Sequence, residues 1–355
     1  MNEESIELAE RLIALTPGNF EKRVWYGHSG SDANEFIAKI VPLATGKSRL
    51  MTFVGSYHGM TMGSYAMSGH PSQGRFIGAG NIIKLPYPYC YRCAFGMDYP
   101  GCGMFCLEFA RKVLRNNTTG SLAAILVETM QGTAGNVVPP PEFIPGLQQI
   151  AREHDALFIG DEMITGFGRT GTMFGCEHTQ TVPDIMTVGK GMGNGFPLSG
   201  LISTTEITSA LPFSKPSSGS SSYGGNALAS TAGLVTIRTI IEESLPENAK
   251  RVGEHIVAML HELQERFPFI GYVQGKGLMI RVELVKDRRT KEPLDSRIME
   301  FMFKESIRSG LMAMNYKASF RINPPLTITR EEADQGLGIF TDTCQAVANT
   351  ICGMG

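Results

Sequence analysis

Apolar positions along the chain follow two rhythms, and the balance between them changes once. Over the first two thirds, short unbroken apolar runs alternate with segments whose apolar residues recur every three or four positions. The runs RLMTFVG (49–55), SLAAILVE (121–128), ALFIGDE (156–162), DIMTVGK (184–190) and LSGLIST (198–204) read as strands buried on both faces. DANEFIAKIVPLAT (32–45) and FIPGLQQIAREHD (143–155) carry the helical period between them. Such alternation predicts an α/β fold: a mostly parallel, helix-flanked sheet.

Beyond about residue 236 the texture shifts. A long helical pattern, ESLPENAKRVGEHIVAMLHELQERF, precedes GYVQGKGLMIRVELV, which alternates like one exposed antiparallel strand. The charged turn KDRRTKEPLD, a further helix and the short strand SFRINPPLTIT follow. The expected organisation is a large domain over 1–236 and a smaller C-terminal α+β domain over 237–355. The Ser/Gly-rich stretch 213–225 reads as a functional loop rather than a linker, because helical patterning resumes directly after it.

Composition narrows the partners. Across 355 residues, 32 basic and 34 acidic side chains leave a formal charge of −2, with both signs interspersed. That balance argues against nucleic acid or an anionic membrane as the main partner. The acidic, amphipathic start MNEESIELAERL lacks the pattern of a signal peptide, and no run reaches the ~18 apolar residues of a membrane span. A soluble, cytoplasmic protein is expected. Four of the seven cysteines, Cys90, Cys93, Cys102 and Cys106, fall within one short loop. Four thiolates can close a tetrahedral zinc site; the alternatives are a disulfide or an ordinary loop of reduced thiols. The chemistry is expected elsewhere, with no catalytic metal.

Ligands of open parallel sheets bind at the carboxyl ends of the strands. The chemistry-bearing residues fall there: Tyr57 and His58, Glu128, Asp161 and Lys190. GFGRTG (166–171) matches a dinucleotide fingerprint, but neither directly follows a first strand nor opens a helical pattern, so it is set aside. Asp161 and Lys190 end two successive strand patterns, and two readings of them stand. One is a structural ion pair. The other is a pyridoxal phosphate site, in which a lysine forms a Schiff base with the cofactor and a carboxylate keeps its pyridine nitrogen protonated. Ser29, Gly30 and Ser31 begin a helix, where amides and dipole suit a phosphate, or simply cap it.

HSGSDANE, SYHGMT, VETMQGTAGN, FIGDEMITGFGRTG, VGKGMGNGFPLSG, SSYGGNALA and FRINPPLTIT occur in an order that resembles the class III aminotransferases, pyridoxal-phosphate enzymes of fold type I. The resemblance covers almost the whole chain. It implies Lys190 as the Schiff-base lysine and Asp161 as partner of the pyridine nitrogen. It also implies Gly30 and Ser31 at the phosphate, Tyr57 stacked on the ring with His58 beside it, and Met163 on the opposite ring face. Ser222 would reach the phosphate of a neighbouring subunit, making a homodimer with shared sites. Glu128 would lie near lysine and substrate, and Arg321 would bind the substrate's carboxylate. The implied activity is amino transfer from an amino acid or ω-amine to a 2-oxo acid by ping-pong chemistry, as in 4-aminobutyrate and ornithine aminotransferases. A racemase, epimerase or decarboxylating member is the alternative.

Three departures mark this chain. Ile164 stands where members often carry a glutamine that reaches the cofactor's phenolic oxygen. Thr133 stands where the 4-aminobutyrate and ornithine enzymes carry a glutamate that pairs with the carboxylate-binding arginine. The sequence also begins later than class III sequences usually do, so an N-terminal wall of the substrate pocket is expected to be missing.

Overall fold

A computed structural model describes residues 2–71, 81–315 and 317–354. The chain divides into two units. The first comprises residues 1–134, 139–167 and 172–243; the second comprises 135–138, 168–171 and 244–355.

The first unit runs α1 (Glu3–Leu15), β1 (Lys22–Gly27), α2 (Gly30–Thr45), β2 (Arg49–Phe53), α3 (Met62–Met67), β3 (Ile82–Leu85), α4 (Phe105–Asn117), β4 (Leu122–Glu128), α5 (Phe143–Glu153), β5 (Leu157–Asp161), β6 (Ile185–Val188), β7 (Ser199–Thr204), α6 (Thr205–Thr208) and α7 (Ala227–Glu242). Among the described residues, seven of its strands form one sheet in the order β1-β7-β6-β5-β4-β2-β3. β2 to β6 are parallel, as the uninterrupted apolar runs predict. β7 is the exception: it pairs antiparallel with both β6 and β1. A short connection from Lys190 to Leu198 leaves no room for the helical crossover that a parallel return needs.

Covered faces explain the runs. Every residue of β4 is buried. Ala124, Leu126, Ile159, Ile185 and Leu201 pack with Phe36, Ile37 and Ile40 of α2 in one core cluster. Phe143, at the start of α5, meets Phe53 and Tyr87 edge-on, with ring centroids 5.6 and 5.3 Å away. α2 begins at Ser29, whose hydroxyl accepts from the Asp32 N–H at 3.3 Å, and stops at Gly46 in the left-handed conformation.

The second unit contains α8 (Leu245–Arg266), β8 (Ile270–Lys276), β9 (Met279–Asp287), β10 (Glu292–Pro293), α9 (Ser296–Arg308), β11 (Met314–Asn315), β12 (Ser319–Ile322) and α10 (Arg330–Met354). Its sheet is antiparallel throughout. The stretch expected as one exposed strand is a hairpin, β8 and β9, turning at Gly277 and Leu278. Its β9 arm is buried from Met279 to Val285, because α8, α9 and α10 share a core with it. The long C-terminal segment of this unit starts at Ser244, after α7, which continues to Glu242 and packs on α1.

Gly253 of α8 lies so close to the hairpin turn that an added Cβ would stand 2.1 Å from the Gly277 carbonyl oxygen. Gly338 of α10 is exposed, and a Cβ there meets nothing within 4 Å. Gly253→Ala should therefore destabilise the protein by about 1–3 kcal/mol through forced backbone shifts. Gly338→Ala should stabilise it by roughly 0.5–1 kcal/mol through helix propensity. Denaturant unfolding of both variants checks the pair, and equal effects would contradict this packing.

Candidate active site

The parallel register aligns the two acids at the centre. Glu128 and Asp161, the last residues of β4 and β5, are direct partners across the ladder. Both are buried, as is Glu162. The turn after β2 brings Tyr57 and His58 to the same edge, and the turn after β6 brings Lys190.

Asp161 is held by three groups. Its Oδ2 accepts from Asn34 Nδ2 at 2.9 Å and lies 2.7 Å from His58 Nδ1. Its Oδ1 accepts from the Met163 N–H at 3.0 Å. Burial alone pushes a carboxyl up, but here the hydrogen bond and electrostatic pull of His58 outweigh it. The Lys190 charge and the Met163 N–H add to that pull, and Asp161 is held below the usual carboxylate range. Asn34 is itself oriented, since the Thr187 hydroxyl donates to its Oδ1 at 3.0 Å.

Glu128 is tuned the other way. Burial raises its pKa and the Asp161 charge adds to the rise, while His58 and two backbone donors pull back. Those donors are the amides of Tyr57 and Gly132, each 2.9 Å from a carboxylate oxygen. Glu162 faces away from this pair. The Gly175 and Cys176 amides and the Thr165 hydroxyl donate to it, so it braces the loop after β5.

Lys190 is exposed and adopts a left-handed backbone conformation with φ of 43°. Gly189 before it allows close approach: a Cβ there would lie 2.7 Å from the Met163 sulfur. The same sulfur would be 3.0 Å from a Cβ on Gly30. Met163 therefore sits between the first turn of α2 and the residue preceding Lys190. Ser31 is tied to the turn after β2, where the Met60 N–H donates to its hydroxyl at 3.0 Å. Gly59 makes that approach possible, with φ of 142° and the Ser31 Cα 2.7 Å from where its Cβ would be.

The expected residues thus divide into two groups. Gly30, Ser31, Tyr57, His58, Glu128, Asp161, Met163 and Lys190 gather at the strand ends of the first unit. Ser222 lies exposed in the loop before α7, and it is Ser221 whose hydroxyl comes within 3.2 Å of His28 Nδ1. Arg321 belongs to the second unit, where its Nε donates to Asn136 Oδ1 at 3.3 Å. Sequence reasoning passed over Asn34. The available signal was an amide among Ala33, Phe36 and Ile37 on the buried face of α2. Ile164 packs on Gly132, where a Cβ would meet its Cδ1 at 2.8 Å.

Cys90, Cys93, Cys102 and Cys106 are free thiols lining one cavity with Tyr87 and Phe105. Burial, reinforced by the neighbouring thiols, raises Cys90 to about 11. Among the described residues no group of three or more His, Cys, Asp or Glu is arranged to hold a metal ion.

The donor set suits pyridoxal phosphate. An ionised carboxylate in a dry setting pairs with a protonated ring nitrogen, and an exposed amine within its field can reach an aldehyde. First-turn amides of a helix, which lack intrahelical acceptors, suit a phosphate.

Comparison with known proteins agrees. Residues 1–344 match the family model for class III aminotransferases. A leucine/methionine racemase of Thermococcus litoralis is 36% identical over 94% of this chain and 75% of its own length. A probable 4-aminobutyrate aminotransferase of Bacillus subtilis is 32% identical over 94% of this chain and 77% of its own. The crystal structure of a PLP-bound amine transaminase from an uncultivated Pseudomonas species superposes with a TM-score of 0.91. It is 29% identical and covers 98% of this chain and 82% of its own. Motif order, strand-end chemistry and fold converge, and the chain belongs to the class III aminotransferases, transaminases that depend on pyridoxal phosphate.

Proposed function

We propose that the protein transfers an amino group from an amino acid or ω-amine to a 2-oxo acid in two half-reactions, as 4-aminobutyrate and ornithine aminotransferases do. The observation that carries this reading is Asp161, buried, accepting from Asn34 and Met163 beside His58, and held below the usual carboxylate range by His58 and Lys190 despite its burial. When bound, pyridoxal phosphate supplies an electron sink that makes the Cα–H of an attached amine acidic.

The chain's own residues do the rest. Lys190 would hold the cofactor through its aldehyde and would move the proton at the substrate's Cα. Asp161 keeps the ring nitrogen protonated. The Gly30 and Ser31 amides would take the phosphate, and Tyr57 and Met163 would exclude water around the ring. Glu128, its pKa raised, stands beside the reacting end. Arg321 takes the substrate carboxylate through a two-pronged contact. Thr133 offers no carboxylate to pair with that arginine, so switching between ω-amines and α-amino acids need not work as in the 4-aminobutyrate and ornithine enzymes.

A homodimer with shared sites completes the reading, with Ser222 serving the phosphate of a second copy. Exposed Tyr223, next to Ser222 in the chain, and exposed Leu228 at the start of α7, 72% and 68% accessible, support it. Among the described residues no helix is long and apolar enough to cross a membrane. The balanced charge supports a cytoplasmic enzyme that does not use nucleic acid or an anionic membrane as its main partner.

Racemisation is the second reading, favoured by one observation: relatives named as racemases or epimerases, including an isoleucine 2-epimerase of Lentilactobacillus buchneri that is 34% identical. Both reactions begin with loss of the same proton and differ in where it returns.

Protein purified with excess pyridoxal phosphate should absorb in the visible, and Lys190→Ala should abolish the band and slow amino transfer at least ~100-fold. A colourless wild-type protein would refute the reading. Arg321→Ala should weaken carboxylate-bearing substrates by about 2–5 kcal/mol and leave simple amines nearly unaffected; equal losses would make Arg321 structural. Mixing the loaded enzyme with α-deuterated amino acids should yield 2-oxo acid along with deuterium release. Deuterium release without any 2-oxo acid would instead establish racemisation.

A further inference from the structure

We propose that Arg281 is a positioning residue that sets how strongly this protein favours carboxylate-bearing substrates: it engages Glu283 and so keeps that acid from neutralising Arg321. The proposal rests on Arg321 taking the substrate carboxylate, as read above, and goes beyond it by naming what keeps that arginine's charge available.

The alternation of β9 places the charges. Ile280, Val282 and Leu284 join the core shared with the helices, together with Phe320 of β12. Residues 281 and 283 therefore share the opposite face of the strand. In the ladder with β12, Arg281 is the direct partner of Arg321, and Glu283 is the direct partner of Ser319. Arg281, Glu283 and Arg321 thus stand on one face of one sheet. Glu283 is the diagonal neighbour of Arg321, a separation of about 7–8 Å that long side chains can span.

Like charges directly across a ladder repel, the more so away from water. The structure relieves this at Arg281. Its Nη2 donates to Glu283 Oε2 at 2.7 Å, and its Nη1 donates to the Gly135 carbonyl at 3.3 Å. Both members of the ion pair are buried. Gly135, with φ of 107°, comes so close that a Cβ there would stand 2.6 Å from Nη1. The Arg281 guanidinium is fixed from two sides. Arg321 is half-buried and its Nε donates to the amide oxygen of Asn136, a partner that cancels no charge. Asn136 is itself held, donating to the Ile280 carbonyl and to Asn323 Oδ1.

These three side chains together contribute a single positive charge, matched to one substrate carboxylate. Without the charge of Arg281, Glu283 is left to pair with the cation on its diagonal, and the sum falls to zero. Without the charge of Glu283, the sum rises to two. Without both, it returns to one. Affinity for a carboxylate should follow that sum rather than the presence of any one of the pair.

The test compares a carboxylate-bearing donor, 4-aminobutyrate or alanine, with propylamine or ethylamine, the same chains lacking the carboxylate. In the cofactor-loaded enzyme, Arg281→Met should raise KM for the carboxylate-bearing donor roughly 10-fold, within the range of coupling between neighbouring charged groups. Glu283→Gln should bring that KM to or below the wild-type value. The double variant should return it to within about threefold of wild type. KM for the simple amines, kcat and the visible absorbance band should hold in all three.

A double variant as weak as Arg281→Met would mean that Arg281 meets the carboxylate itself or only braces Gly135, and would overturn the proposal. So would a Glu283→Gln variant whose KM for the carboxylate-bearing donor exceeds wild type, a result that decides the matter even if thermal melts show Arg281→Met to be unfolded. A loss confined to the simple amines in Glu283→Gln would make Glu283 the partner to which Arg321 turns, and would overturn it as well. Equal losses for both kinds of donor in Arg321→Ala would instead refute the underlying reading of Arg321, an outcome read before these variants are made.

Discussion

An ionised carboxylate held out of water is the constraint on which the first unit depends. Desolvation alone would return a proton to Asp161, and a neutral acid could not hold a positive charge on a heterocycle. The protein answers with three donors from three parts of the chain: the Asn34 amide of α2, the imidazole after β2, and the Met163 N–H after β5. Each needs its element at a set height relative to the others. The cluster of Phe36, Ile37 and Ile40 against the sheet supplies that height. The apolar core thus serves an electrostatic end, since packing α2 against β5 and β6 carries Asn34 to the carboxylate.

The same site shows how environment separates two carboxylates. Glu128 and Asp161 are ladder partners of equal depth. Asp161 receives side-chain donors and lies in the lysine's field; Glu128 receives only backbone amides and faces another negative charge. One is held ionised while the other is pushed toward its protonated form, and different tasks become available to adjacent acids.

Much of this was legible in the sequence. The five apolar runs became β2, β4, β5, β6 and β7 within a residue or two, because strands covered on both faces leave no polar interruptions. Strand-end placement then brought Tyr57, His58, Glu128, Asp161 and Lys190 to one edge of the sheet, and the structure gathers them there. Periodicity was weaker where contacts come from remote segments. β1 and β3 lie at the sheet edges and have broken burial patterns, so they carry little signal. The direction of β7 follows from a short loop rather than from its own residues. The β8–β9 hairpin read as one strand because Gly277 alone marks the turn. Asn34 looked like part of a helix cap motif, and only the tertiary structure shows what its amide serves.

The β4–β5 ladder has a consequence for how such a protein can diversify. Side chains along a strand alternate between faces, so inserting or deleting one residue within β4 or β5 would turn Glu128 or Asp161 to the opposite side of the sheet. Strand length here is quantised, and heritable change in it is all or nothing. The loops after those strands face no such arithmetic. A lineage can lengthen, shorten or rewrite the segments that follow Glu128 and Asp161, and so explore new substrates, while the central charge pattern stays in place.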